Sequence, residues 1–180
     1  MNTYIALLRG INVGGHKKIP MAALRDLLTA AGLVNVKTYI QSGNVIFQSS
    51  SKSKVNLETL IKTTIKNGFD FDVPVQVKQP SEIRSIIEGC PFSTDIITSS
   101  YFMLLNQGPE KGLLYELQQE KNDEEPFVIL NNCIYIHYEH GAGKSKRGVN
   151  WFEKKLKVDA TARNYRTMVK LLSLSENLQK

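Results

Sequence analysis

A strand, a helix and a hairpin follow one another twice along this chain, and this repeated order constrains its fold more than any other feature. Residues 4–8 form a short apolar run that predicts a strand, and apolar residues three and four positions apart predict a helix over residues 20–31. Two strand-like runs then flank Ser42-Gly43-Asn44, a composition typical of an antiparallel hairpin. The chain therefore begins with the order strand, helix, strand, strand.

A second helix and a fourth strand complete the first half of the chain. Leucine and isoleucine recur at helical spacing between residues 57 and 65, and Asn67-Gly68 ends that pattern. Residues 73–77 alternate as a strand in which Pro74 suits a sheet edge. The resulting order βαββαβ is typical of a ferredoxin-like antiparallel sheet with both helices on one face.

The same order recurs after a connecting helix predicted over residues 81–89. In chain order, the repeat consists of a strand over 101–105, a helix over 110–121 and a hairpin over 127–138, with short helices near Trp151 and Tyr165. We infer a duplication from this order of elements and not from residue identity. The predicted fold class is α+β, with two tandem ferredoxin-like halves over residues 1–79 and 80–180, mainly antiparallel sheets, and helices packed on them.

Positive charge is concentrated in one region of the second half. Residues 141–170 contain nine Lys and Arg against Glu153 and Asp159, so this region carries +7 and the rest of the chain −1. Such a region favours an anionic partner, whether nucleic acid, a nucleotide or a phosphorylated metabolite. The alternative is a solvated helical face whose charges serve solubility.

Several classes of protein are not indicated by the sequence. No apolar run approaches the roughly 20 residues that cross a bilayer, and the first residues show neither a basic leader nor a cleavage site. We therefore expect a cytoplasmic protein without a membrane partner. Cys90 and Cys133 lie far apart and are predicted to be free thiols in the core. His137 and His140 would point to opposite faces of a strand, so no metal or other cofactor is predicted.

A glycine-rich loop with positive charge follows the first strand. Glycine lets backbone N–H groups approach an anion closely, and the start of the next helix adds partial positive charge. The candidate ligand-binding residues of this loop are Arg9, Asn12, Gly14, Gly15, Lys17 and Lys18. Their spacing matches neither the dinucleotide fingerprint nor the P-loop, so the alternative is a simple turn.

Two further loops contain candidate ligand-binding residues. Ser42 and Asn44 place a hydroxyl and an amide in the first hairpin, where a plain turn is the alternative; a nucleophilic Ser42 would need a base that the sequence does not identify. The candidates in the basic glycine loop are Lys144, Ser145, Lys146 and Arg147. This loop is not a P-loop, but it could hold a phosphate or form an ordinary basic surface loop.

The last candidates lie near the start of a predicted C-terminal helix. Arg163, Asn164 and Arg166 combine two guanidinium groups and an amide, a mixture that suits phosphate contact. Thr161 is predicted to cap the helix. Helical spacing puts Tyr165 on the buried stripe, so this ring is predicted to belong to the core.

Four strings of residues stand out in the sequence: ALLRGINVGG (6–15), TYIQSGNVIF (38–47), GKSK (143–146) and TARNYRTMVKL (161–171). They resemble the signatures of a bacterial family known as domain of unknown function 1697, and together they span most of the chain. The resemblance implies a duplicated ferredoxin-like α+β architecture, in agreement with the order of elements. It implies no established activity.

The leading functional hypothesis is a module that binds an anionic ligand, namely a nucleotide, a phosphorylated metabolite or single-stranded nucleic acid. A second hypothesis is an enzyme that acts on a small phosphorylated or carboxylated substrate in a cleft between the halves. Its candidate polar contacts are Arg9, Asn12, Ser42 and Asn44. A third hypothesis is a protein–protein interaction module. The sequence identifies no catalytic residue and predicts no oligomeric state.

Overall fold

Strands rich in apolar residues form two four-stranded antiparallel sheets, one in each of two units of the chain. The computed structural model describes residues 1–120 and 125–178. The first unit is Met1–Arg84 with the C-terminal segment from Lys170, and the second is Ser85–Val169. The boundary predicted after residue 79 stays a prediction.

The first unit contains a sheet with the strand order β2-β3-β1-β4. Its elements are β1 (Asn2–Leu8), α1 (Met21–Ala30), β2 (Val34–Tyr39), β3 (Asn44–Ser49), α2 (Lys54–Phe69), β4 (Val75–Lys78) and the beginning of α3 (Pro80–Glu88). In the ladder of β1 with β3, Leu7 lies opposite Asn44, and in its ladder with β4, Leu8 lies opposite Val75. β1 is thus a central strand, and its C-terminal end lies beside the start of β4.

One face of this sheet packs against α1 and α2. Successive side chains of a strand point to opposite faces, so Tyr4 and Leu8 share a face and join the buried core there. Helical spacing turns Leu24 of α1 and Ile61 of α2 towards the same core. The packing of this face on the two helices holds β1 in place, and the glycine-rich loop follows the C-terminal end of that strand.

The second unit contains a sheet with the strand order β6-β7-β5-β8. Its further elements are α4 (Thr94–Ile97), β5 (Ser100–Leu105), α5 (Lys111–Gln119), β6 (Phe127–Leu130), β7 (Cys133–His137), a 3-10 turn (Ala142–Lys144), α6 (Val149–Leu156), β8 (Ala160–Asn164) and the beginning of α7 (Tyr165–Glu176). Met103, Ile134 and Phe152 belong to its core. Cys133 is buried and Cys90 is half-buried, and neither forms a disulfide in the part of the chain that the structure describes.

The α+β class predicted from the sequence is confirmed. The order βαββαβ that underlies the ferredoxin-like prediction is present in each unit, and the two hairpins occupy equivalent places in the two sheets. The predicted helix over 110–121 is α5, although its last residue lies outside the described part of the chain. Among the described residues, no helix has the length and apolar character needed to span a membrane.

Two local predictions are wrong. Thr161 does not cap a helix but lies in β8, which pairs with β5; the residue that caps α7 is Asn164, whose Oδ1 accepts a hydrogen bond from Thr167 N at 2.8 Å. The strand predicted from residue 73 begins at Val75. Thr161 and Asn164 are both good capping residues, so composition alone favoured the wrong one.

Candidate functional site

The glycine-rich loop after β1 is folded around the side chain of Asn12. The Asn12 amide nitrogen donates hydrogen bonds to Ile19 O at 3.0 Å and to Gln41 O at 2.9 Å, and its Oδ1 accepts one from Ile19 N at 2.8 Å. Both ends of the amide are therefore engaged in holding the backbone. This arrangement closes the loop on itself and attaches it to the β2–β3 turn.

Backbone hydrogen bonds bring three loops together at one end of the first sheet, where β1 ends and β3 and β4 begin. Leu8 N donates to Gly43 O at 2.8 Å, and Arg9 N donates to Pro74 O at 3.0 Å. The Lys17 ammonium also donates to Asp72 O. We call the resulting surface the glycine-loop edge; it consists of residues 9–20, 40–43 and 70–74.

The backbone of the glycine-loop edge is held in unusual conformations. Its residues with positive φ are Gly10, Asn12, Gly14, Gly15, Lys17, Ile40, Gly43 and Asp70. Gly14 and Gly15 are the central residues of a tight turn in which His16 N donates to Val13 O at 3.0 Å, and positive φ at both is the signature of a type I′ turn. The loop therefore has a defined backbone conformation, and its turn presents residues 13–16 to solvent.

Positive charge is carried by one of the three loops, residues 9–20. Residues 9–20 and 40–43 contain no Asp or Glu, whereas Lys18 and His16 are exposed and Lys17 and Arg9 are half-buried. The carboxylates of the edge lie on the third loop. There the Lys66 ammonium, 2.7 Å from Asp70 Oδ1, lowers the pKa of that carboxyl through a hydrogen bond.

Ser42 and Asn44 stabilise the hairpin. Asn44 is completely buried, and its Nδ2 donates to Tyr39 O at 3.1 Å and to Ser42 Oγ at 3.0 Å. Arg9, Asn12, Ser42 and Asn44, the polar contacts of the enzyme hypothesis, all belong to the first unit and lie at or beside the glycine-loop edge. Two of the four, Asn12 and Asn44, direct their amides at backbone carbonyls.

The second unit contains the basic loop and a small cavity beside it. The cavity has a volume of ≈ 280 Å³, and its lining residues are Glu125, His140, Gly141, Lys144 and Ser145. Lys144 is the last residue of the 3-10 turn, and its backbone N–H donates a hydrogen bond to Gly141 O at 3.1 Å. The cavity lining therefore offers an ammonium, an imidazole and a hydroxyl to a small ligand, but also the carboxylate of Glu125.

Arg147 is held inside its own unit. The guanidinium carbon lies 5.9 Å from the Phe127 ring centroid and 5.0 Å from that of Trp151, and Nη1 donates to Glu120 O at 3.2 Å. Lys155 lies 5.4 Å from the same Trp151 ring and forms an ion pair with Glu120. Cation–π contacts of this kind orient the guanidinium and reduce its freedom to reach a ligand.

Arg163 lies near a helix start, as the sequence had indicated, but it belongs to β8, two residues before α7 begins. Its side chain is 8% exposed, and Nη1 donates to Thr161 Oγ1 at 3.0 Å and to Ala162 O at 2.8 Å. Burial lowers the pKa of this guanidinium to about 10. Asn164 serves as the helix cap and Arg166 is exposed, so the three candidates differ in their surroundings.

Tyr165 is half-buried, and its ring meets the buried Phe102 edge to face at a centroid distance of 6.1 Å. Within residues 1–120 and 125–178, His, Cys, Asp and Glu form no group of three that could hold a metal ion.

Sequence reasoning missed Ile40 and Val13 at the glycine-loop edge and His140 at the cavity. Isoleucine is not a turn-forming residue, so nothing in the sequence indicated its conformation.

The comparisons with known proteins agree with this fold. A family model described as protein of unknown function (DUF1697) matches residues 1–135, and the chain belongs to this family. The structure of conserved bacterial protein SP0830 from Streptococcus pneumoniae is similar, with a TM-score of 0.72 and 24% identity over 95% of this chain and 97% of that chain. No curated protein matches the chain. The residues that the family model matches include the glycine-loop edge, whereas residues 140–147 lie after the last matched residue.

Proposed function

We propose that this protein binds a small anionic ligand, such as a phosphorylated metabolite or a nucleotide, at the glycine-loop edge. One observation carries the proposal: hydrogen bonds join three loops into a fixed surface on which Arg9, His16, Lys17 and Lys18 lie on a segment without a carboxylate. A fixed cationic surface loses little conformational freedom when it binds, so more of the interaction energy becomes affinity.

The backbone adds to this attraction. Gly10 and Gly15 have open space where a Cβ would stand, so a ligand can come close to their N–H groups. Turns with positive φ direct such groups outwards and form anion-binding concavities. The side chain of Pro20, the residue before α1, cannot accept hydrogen bonds from the first N–H groups of the helix, which supports a ligand oxygen in that role.

Binding is supported better than nucleophilic catalysis. Ser42 Oγ accepts a hydrogen bond from Asn44 Nδ2, and this bond gives the hydroxyl a role in holding the hairpin turn. The polar groups of the edge are thus suited to holding an oxyanion.

The test is a titration with inorganic phosphate followed by amide chemical shifts. We expect the largest shifts at Gly10 and over residues 14–18, and Lys18→Ala should weaken the affinity roughly tenfold, because a hydrogen bond to a charged group is lost. Lys52→Ala is the matched control, since Lys52 is exposed in the same unit but lies after β3, at the opposite end of the sheet. Shifts confined to other residues, or equal effects of the two substitutions, would refute the proposal.

The cavity in the second unit is a second candidate site for the anion. It is favoured by its concave shape and by Lys144, His140 and Ser145 in its lining. Glu125 in the same lining would repel an anion, as Asp70 and Asp72 would at the glycine-loop edge; because residues 140–145 lie outside the family match, we rank the cavity second. In the same titration, shifts at Gly141 and Ser145 that disappear in Lys144→Ala would favour this cavity over the glycine-loop edge.

A further inference from the structure

We propose that the ligand of the glycine-loop edge carries an apolar group beside its anionic group, and that Ile40 and Val13 contact the apolar group. This inference rests on the proposed function, because it concerns the same site. The ligand class is then an alkyl, acyl or ring-bearing phosphate or carboxylate and not a bare inorganic anion.

Ile40 is the first observation. Its φ is +50°, a left-handed conformation that is unfavourable for any L-residue except glycine and that β-branched residues rarely adopt. Its side chain is also 51% exposed, so burial does not account for the choice of isoleucine. Glycine or asparagine would adopt this conformation at lower cost. Strained residues of this kind cluster at active sites and ligand clamps, so this conformation points to a functional position.

Val13 is the second observation. It is 62% exposed and occupies the first position of the type I′ turn, opposite His16. Its neighbour Asn12 donates to Gln41 O at 2.9 Å, and Gln41 follows Ile40 in the chain. The Asn12 side chain therefore ties the loop that carries Val13 to the turn that carries Ile40.

The charge of the surroundings gives the chemical class. Val13 lies on the same loop as His16, Lys17 and Lys18, so an apolar group at this position is accompanied by cations. A neutral hydrocarbon would gain nothing from these charges, and a bare phosphate would gain nothing from the aliphatic side chains. A ligand with both groups gains from both contacts.

The experiment compares monomeric octyl phosphate, inorganic phosphate and octyl glucoside by calorimetry. We expect octyl phosphate to bind at least tenfold more tightly than phosphate, roughly the effect of burying two methylene groups, and octyl glucoside to bind more weakly than both. Ile40→Asn should reduce this advantage to about threefold or less, leave the phosphate affinity unchanged and leave the melting temperature equal or higher, because asparagine tolerates the left-handed conformation. Val55→Asn, at a 69% exposed valine of α2, is the matched control and should retain the advantage.

The outcomes separate this inference from the function on which it rests. Phosphate binding at the edge without any gain from the octyl chain would overturn the inference and leave the proposed function intact. A gain that persists in Ile40→Asn would overturn the assignment of the apolar contact. If neither phosphate nor octyl phosphate binds, both proposals are wrong.

Discussion

Gly10 and Gly43 have the same kind of backbone conformation but different surroundings. Their φ angles are +70° and +78°. A Cβ on Gly10 would meet nothing within 4 Å, whereas a Cβ on Gly43 would lie 2.7 Å from Leu8 Cβ and 2.9 Å from Leu8 O. Gly10 is thus required only for its conformation, and Gly43 also for the close approach of the hairpin turn to the end of β1.

Alanine substitutions at Gly10 and Gly43 separate the cost of a left-handed backbone from the additional cost of steric overlap with Leu8. Gly10→Ala should lower the free energy of unfolding by about 1–2 kcal/mol, the cost of a left-handed L-residue. Gly43→Ala should lower it by at least about 3 kcal/mol, because the methyl group must also displace the backbone of β1. Urea unfolding of the two variants measures both values. Equal losses would show that the turn yields without disturbing Leu8.

Glu82 connects two helices of the first unit. One carboxylate oxygen accepts a hydrogen bond from Gln79 N at 2.8 Å, at the start of α3, and the other lies 2.7 Å from the Lys54 ammonium at the start of α2. Burial acts to raise the pKa of this carboxyl, but the hydrogen bonds from Gln79 and Lys54 outweigh it, so the pKa lies below its usual value. The charged form therefore stabilises the fold.

The sign of this effect gives a pH-dependent prediction. A depressed pKa contributes stability above the usual carboxyl pKa, and this contribution is lost as the pH falls through the folded-state value. Glu82→Gln should lower the free energy of unfolding by about 0.5–1 kcal/mol at neutral pH, a range that allows for the partly exposed ion pair. The two proteins should become equally stable in acid, as measured by urea unfolding across a pH series.

Glu88→Gln at the other end of α3 provides the control. A negative charge at a helix C-terminus is unfavourable, so its removal should not weaken the protein at neutral pH. A constant difference between wild type and Glu82→Gln at all pH values would contradict the charge-based explanation.

The helices, the two hairpins and the α+β class could be predicted because periodicity and turn composition are local properties of the sequence. The strand β8 could not, since Thr161 and Asn164 resemble helix caps and its pairing with β5 spans about 60 residues. Convergence at the glycine-loop edge depends on the strand order, which places the end of β1 between the start of β3, next to the β2–β3 turn, and the start of β4. The left-handed conformation of Ile40 could not be predicted from the sequence either, because the hairpin imposes it on a residue that rarely adopts it.

The concentration of cations in residues 141–170 also gives a prediction for the whole molecule. Its nine Lys and Arg are not equivalent, because Arg163 is buried and Arg147 is stacked on two rings, while Lys144 and Lys146 are exposed. A polyanion should therefore bind weakly, without sequence preference and with strong salt dependence. Fluorescence anisotropy of a short single-stranded RNA across a salt series measures this dependence.

Alanine substitution of the basic loop tests which side chains carry that binding. The triple variant Lys144→Ala, Lys146→Ala, Arg147→Ala should reduce the slope of log affinity against log salt by up to about 2, at roughly 0.7 per lost phosphate contact. The double lysine variant should account for most of this change, because the Arg147 guanidinium is already held by Phe127 and Trp151. Lys52→Ala with Lys62→Ala in the first unit is the control and should leave the slope nearly unchanged. No binding at low salt would mean that this loop does not recognise a polyanion and would favour a solvated surface whose charge serves solubility.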